Sequence, residues 1–343
     1  MVDTVLSTGA VRHHEPLKPP PRVPVVRTAD LMTRGGTRAG AIRTVRAGPG
    51  VRLRRGVYSK DPVPEPTDAH LARVWASSGL LTDGEVFSHV SAALLHGLPV
   101  PWSAARAPVH VTLAGESGGN RRALRHVHRA PLPVRDRATV SGLPVTSLAR
   151  TVVDCARTLD FVSGVAVADR ALRSRTDPEA FRAELRSTAR ALAGFRGIGR
   201  AREVIAFADH RAENGGESRV RVLLDDLGIE PPEPQLRVED PNDPGFVAYA
   251  DFGWRDRWTL LEFDGALKYG ADNPGGLRVA QVIIREKQRE QRLQDLGWVV
   301  VRMVWDDLKF PDLVRERVLG GFDRAVRQRG GPPAGQSRGG FTA

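Results

Sequence analysis

The stretch Leu260-Leu261-Glu262-Phe263-Asp264 has the apolar bias of a buried strand, yet two carboxylates interrupt it. Burying a lone carboxylate is costly, so any fold that contains this strand must set something opposite Glu262 and Asp264. An arginine, a metal ion and water are all open at this point. Side chains alternate along a strand, so Glu262 and Asp264 share one face while Leu261 and Phe263 share the other. The preceding segment, FVAYADFGW, joins this one through Arg255-Asp256, and the two are expected to pair as a hairpin. Asp251 can then reach the same spot, and Glu217, which opens the helix ESRVRVLLDDLG, can approach from above.

The surrounding pattern reads as one α/β unit in the order helix, three strands, helix, strand, helix. Val220, Leu223, Leu224 and Leu227 form one helix face, with Gly228 as terminator. A long helix is expected from about Leu277 to Leu296, ending at Gly297, with Glu286, Glu290, Lys287 and Gln291 interrupting its apolar stripe. WVVVRMVW is a continuous apolar run, as expected at a sheet centre. Converging carboxylates repel unless protons, cations or metal neutralise them. Hard oxygen ligands suit Mg²⁺ or Mn²⁺, and such an ion can activate water against a phosphodiester. The competing reading is a salt-bridge cluster, with Glu262 and Asp264 paired to Lys268, Lys287 or Arg289.

Charge is unevenly placed along the 343 residues. Residues 1–60 carry 12 Lys and Arg against 3 Asp and Glu, whereas residues 211–343 carry 20 against 22. The positive field therefore sits at the N-terminal end and would attract a polyanion. Residues 1–24 are Pro-rich and read as a disordered arm. In residues 25–60, ADLMTRG and TRAGAIRTVRAG read as two short helices, the second N-capped by Thr37, followed by the arginine-rich hairpin VRLRRGVYSK. That is the layout of a winged helix, and it nominates Arg38, Arg43, Arg46, Arg52, Arg54 and Arg55 as DNA contacts. A basic hairpin on an unrelated small domain is the alternative.

Residues 61–210 read as a second, α/β and helical, unit. His89, His96, His110, His126 and His128 lack any recognisable ligand spacing, and structural or surface roles are expected for them. The single cysteine, Cys155, excludes an internal disulfide and a cysteine-rich zinc site. No apolar run approaches the roughly 20 residues that span a bilayer, and the N-terminus lacks a signal-peptide layout. The expectation is a cytoplasmic protein with no membrane partner. Residues 211–327 form the third unit, and 328–343 read as a disordered tail.

Two resemblances follow from these phrases. GAIRTVRAGPGVRLRRGVYS, SHVSAALLHGLPV, PVHVTLAG and GLPVTSLARTVVDCA, in this order, resemble the AbiEi family of type IV toxin–antitoxin antitoxins over roughly residues 25–175. The resemblance implies a winged-helix domain that represses its own promoter, then an α/β antitoxin-type domain, with DNA as partner; a cognate toxin and a homodimer stay open. GGESRVRVLL, YADFGW, LLEFDGALKYG and REKQREQRLQDLGWVVVRMVWDDL resemble the PD-(D/E)xK superfamily, in the branch akin to very-short-patch repair endonucleases. That resemblance implies a restriction-endonuclease-like domain with a mixed sheet and a Mg²⁺- or Mn²⁺-dependent endonuclease site. Glu217, Asp251 and Glu262 would be its carboxylates, joined by Asp264 as a metal ligand. The sequence departs from the family where Asp264 replaces the expected lysine, and Lys268 or Lys287 would supply a migrated amine. The expected function is a DNA-binding antitoxin-type regulator carrying this nuclease-like domain; the alternative is a non-catalytic repressor whose C-terminal domain is structural or protein-binding.

Overall fold

The computed structural model describes residues 15–20, 24–29, 37, 39–40, 43, 51–59, 62–63, 65–116, 118–122, 124–265 and 276–329. The chain is a multi-domain α/β protein, and it divides into two compact units at Gly215.

The first unit opens with β1 (Val25–Arg27), β2 (Arg52–Arg54) and β3 (Val57–Ser59), an antiparallel sheet in the order β1-β3-β2. The β2–β3 turn is tight because Gly56 supplies a φ of +76°. Leu53 and Val57 pack on Ala72 and Ala76 of α1 (Pro66–Ser77), so the apolar positions of the hairpin face that helix. Of the two helices expected between β1 and β2, the described residues Thr28, Ala29, Ala39, Gly40 and Arg43 are helical; the rest lie outside the described residues. Thr37 Oγ1 accepts the amide of Gly40 at 3.1 Å, which is N-cap geometry. Residues 15–20 of the N-terminal arm are also described: the Glu15 amide donates to the Arg173 carbonyl at 3.1 Å.

A six-stranded mixed sheet follows, built from β4 (Val86–Phe87), β5 (Val109–Ala114), β6 (Gly119–Arg122), β7 (Arg125–Ala130), β8 (Arg137–Val140) and β9 (Leu143–Thr146) in the order β6-β7-β5-β4-β9-β8. Strand β5 runs parallel to β7, with His110 opposite His126 and Thr112 opposite His128. Helices α2 (His89–Leu95) and α3 (Trp102–Ala105) connect β4 to β5. Four more helices follow the sheet: α4 (Leu148–Thr158), α5 (Phe161–Arg173), α6 (Pro178–Ala191) and α7 (Ile198–Phe207). Side-chain caps start three of them, Ser147 for α4, Asp160 for α5 and Asp177 for α6, each accepting the amide three residues on.

The second unit contains α8 (Gly215–Asp226), then β10 (Glu233–Asp240), β11 (Asp243–Trp254), β12 (Thr259–Asp264), α9 (Gly276–Asp295), β13 (Val299–Val304) and α10 (Pro311–Gln328). The sheet order is β10-β11-β12-β13, antiparallel up to β12 and parallel between β12 and β13. Two cores form. Val220 and Leu224 of α8 pack with Phe252, Leu261, Val301, Met303 and Val314; Leu260 packs with Leu236, Ala250, Leu293 and Trp298. The apolar run WVVVRMVW becomes β13, which is an edge strand and not a central one. Its apolar character has another cause: Val301 faces one core while Val300 faces the other, so helices cover both faces of this edge.

Candidate functional site

The β11–β12 ladder pairs Phe252 with Leu261, which brings Asp251 alongside Glu262. Asp251 Oδ2 accepts the amide of Phe263 at 2.8 Å, so its carboxylate is tied to the backbone next to Glu262. Glu262 meets two guanidinium groups. Arg289 Nη1, from α9, lies 2.8 Å from Oε1, and Arg302 Nη2, from β13, lies 3.5 Å from Oε2. Arg302 is the register partner of Glu262 across the parallel ladder. Both arginines also serve α9: Arg289 meets Glu286 at 3.0 Å, and Arg302 meets Glu290 at 2.8 Å and Glu286 at 3.4 Å. Burial works against the charge of Arg289, but Glu262 and Glu286 outweigh it and raise the guanidinium above its usual value. Of the polar residues that interrupt the long helix, Glu286 and Glu290 thus face this cluster. The partner opposite Glu262 is arginine.

The other nominated residues are distributed as follows. Glu217 is buried near the start of α8, and Gln235 Nε2 approaches its Oε2 at 3.4 Å. Asp264 is exposed at the end of β12, and Lys287 is exposed on α9. Lys268 lies outside the described residues. Among the described residues, Glu217, Asp251, Glu262 and Asp264 do not provide three donor atoms within 4.8 Å of one another; one group meets that condition, and it consists of histidines. At the N-terminal end, Arg52 and Arg55 are exposed on the hairpin, Arg54 is half-buried, and Arg43 is exposed on a helical residue. Burial, with Arg27 nearby, holds the Arg54 guanidinium below its usual value. Arg38 and Arg46 lie outside the described residues.

A constellation missed by sequence reasoning occupies the six-stranded sheet. His110 Nδ1 and His128 Nε2 are 3.0 Å apart. The His89 ring stacks on His128 with centroids 3.8 Å apart, and His126 lies 3.9 Å from His128 on its other flank. His89 Nε2 faces Arg157 Nη2 at 3.0 Å, and its Nδ1 faces Ser88 Oγ at 2.9 Å. Ser88, the residue before α2, makes no side-chain cap hydrogen bond to that helix. Arg157 is held by Asp154 at 2.9 Å, and Asp154 in turn holds the fully buried Arg150 at 3.0 Å. Burial, followed by neighbouring imidazoles, pushes His128 down to about 2, and burial holds His89 well below the ordinary histidine range. Both rings are therefore neutral at physiological pH. The signal available in the sequence was the alternation His126-Val127-His128, which sets two imidazoles on one strand face.

The six-stranded sheet and helices α2 to α7 are also where a known family is met. Residues 86–207 match the family model described as the AbiEi antitoxin C-terminal domain. Two uncharacterized proteins of Mycobacterium tuberculosis, MT2308 and Rv2248, are each 34% identical over 187 residues, which is 54% of this chain. The match spans 64% of the length of each of these relatives. The AbiEi-matched region contains the whole histidine constellation and the Arg150–Asp154–Arg157 chain of ion pairs. Among the described residues, no helix is long and apolar enough to cross a membrane.

Proposed function

We propose that this chain is a DNA-binding regulator of the antitoxin type, with a C-terminal domain that is nuclease-like in fold and held at its centre by ion pairs instead of a divalent ion. The observation that carries the regulator reading is the AbiEi antitoxin match over residues 86–207. The arginine-rich hairpin β2–β3 supports it, because Arg52, Arg54 and Arg55 give a polyanion a positive edge that carries no sequence code of its own. Specificity would come from the helix that Thr37 caps. An antitoxin of this kind takes a toxin protein as its partner, and a second copy of the chain would let it read paired half-sites.

The C-terminal reading rests on Glu262. Arg289 at 2.8 Å and Arg302 at 3.5 Å present charge and hydrogen-bond donors but no lone pair, so they neutralise the carboxylate without coordinating an ion. The second reading is an endonuclease whose Mg²⁺ or Mn²⁺ is held by Glu217, Asp251, Glu262 and Asp264, with Lys268 or Lys287 as the amine. Its support is the tie between Asp251 and the Glu262–Phe263 backbone, together with the element order of residues 215–304. That reading requires both guanidiniums to leave Glu262, and the described donor set does not fit the ion as it stands.

The test of the regulator reading is anisotropy on a duplex taken from upstream of the protein's own coding sequence, against a scrambled duplex. Binding is expected to be tighter on the upstream duplex and to weaken steeply with salt. Replacing Arg52, Arg54 and Arg55 together by Gln should reduce the slope of log K against log salt by about 0.9 for each phosphate that the variant no longer neutralises. Equal affinity for both duplexes, or a slope unchanged in the triple variant, would contradict the reading.

A further inference from the structure

One ring nitrogen each from His89, His110 and His128 can be chosen so that all three lie within 4.8 Å of one another. Separate features of the fold bring them there. His110 and His128 stand on neighbouring parallel strands, and His110 pairs with His126, two residues before His128 on the same strand face, so the ladder sets their spacing. Their facing nitrogens are 3.0 Å apart, against the roughly 3.3 Å expected between two ligands bound tetrahedrally at about 2.0–2.1 Å from one zinc. His89 enters from the first residue of α2, with a φ of +52°. A non-glycine residue rarely takes this left-handed backbone, and such strain persists where the surroundings over-determine it. Here the Ser88 amide donates to the His110 carbonyl at 3.1 Å, which fixes the chain just before the strained residue.

Arg157 identifies the reactive atom of His89. A guanidinium only donates, so the Nε2 atom 3.0 Å from Arg157 Nη2 presents its lone pair, and Nδ1–H donates to Ser88 Oγ. A cation already occupies the place a metal would take on that nitrogen. The surrounding charge is balanced: Asp154 pairs with Arg150 and Arg157, and Asp136 pairs with Arg150. Asp154 Oδ1 also lies 3.8 Å from His89 Nε2.

We infer that His89, His110 and His128 form a binding site for a divalent transition-metal ion, Zn²⁺, with Arg157 yielding its contact to His89 when the ion enters. Imidazole nitrogen selects such ions over Mg²⁺ and Ca²⁺. Three protein ligands leave a fourth position for water, and His110 and His128 are partly exposed, which gives the ion a route in. Ser88 supplies the hydrogen bond on the far nitrogen that fixes the tautomer of a ligating ring. His126 borders the site, its ring 5.2 Å from that of His110. The site lies in a different unit from the Glu262 cluster, so it stands or falls independently of the C-terminal reading.

The test uses the full chain, stripped with a chelator and titrated with Co²⁺ and then Zn²⁺. One equivalent of Co²⁺ is expected to give the intense visible bands of a four-coordinate ion, and one equivalent of Zn²⁺ to abolish them. His110→Ala and His128→Ala should lose the signal, while Glu262→Gln keeps it. Arg157→Gln, which removes the competing cation, should tighten Co²⁺ binding about tenfold, the equivalent of one charged hydrogen bond. Only the weak bands of six-coordinate Co²⁺ in the parent, or histidine variants that titrate like the parent, would overturn the inference. Should an alanine variant lose its circular dichroism, the spectrum of the parent decides on its own.

Discussion

Arg150 is fully buried, with Asp136 Oδ2 2.9 Å from Nη1 and Asp154 Oδ2 3.0 Å from Nε. Removing one partner from such a cluster leaves uncompensated buried charge, which typically costs about 3–5 kcal/mol. Arg150→Met should therefore lower the urea midpoint by that equivalent; a loss below about 1 kcal/mol would mean that the two aspartates find other partners. His70 makes a pH prediction. Its Nδ1 donates to the Ala105 carbonyl at 2.9 Å and its Nε2 meets Ser91 Oγ at 2.8 Å. Burial, then Arg73, pushes it down to about 4. The unfolded chain takes up this proton near pH 6.5 and the native state only near 4, so stability falls as pH drops through that window. Between about pH 7 and 5 the parent should lose on the order of 2 kcal/mol more than His70→Asn; equal losses would contradict the assignment. At this scale the sequence announced the problem of Glu262 but not its full solution. Arg289 was among the candidates, whereas Arg302 reaches Glu262 only because β13 runs parallel to β12 in one particular register. The histidines were opaque for the same reason: roughly twenty residues separate His89, His110 and His128 from one to the next, and sheet order alone gathers them.

Between elements, the approach of α10 to the sheet is decided by two adjacent glycines with different surroundings. A Cβ on Gly321 would lie 2.8 Å from Val301 Cγ2 and 3.1 Å from Thr259 Cγ2, whereas a Cβ on Gly320 would find nothing nearer than Arg324 Nη1 at 3.5 Å. Gly321→Ala should thus destabilise the fold, by about 1–3 kcal/mol of overpacking. Gly320→Ala should stabilise it by about 0.5–1 kcal/mol through helix propensity. Thermal melts of the two variants should shift in opposite directions, and a shared direction would refute this account of the packing. Periodicity located these elements well: the 3.6-residue stripe of Val220, Leu223, Leu224 and Leu227 packs as expected in one core. What periodicity could not supply was position within the sheet. A strand covered on both faces by helices reads as apolar whether it lies at the centre or the edge, and β13 lies at the edge.

For the whole molecule, charge separates along the chain, with excess Lys and Arg in residues 1–60 and a slight acidic excess in residues 211–343. Under the proposed function the basic end would attract nucleic acid and the acidic end would not, and a nuclease would have to load an ion at Glu262 before phosphate approached. What holds Glu262 therefore separates the two readings of the C-terminal domain. The most direct measurement is the conversion of supercoiled DNA by the full chain across a Mn²⁺ titration, beside Glu262→Ala. If Arg289 and Arg302 hold the carboxylate, both proteins leave the DNA intact at every Mn²⁺ concentration. Cutting by the parent that rises with Mn²⁺ and disappears in Glu262→Ala would contradict the account.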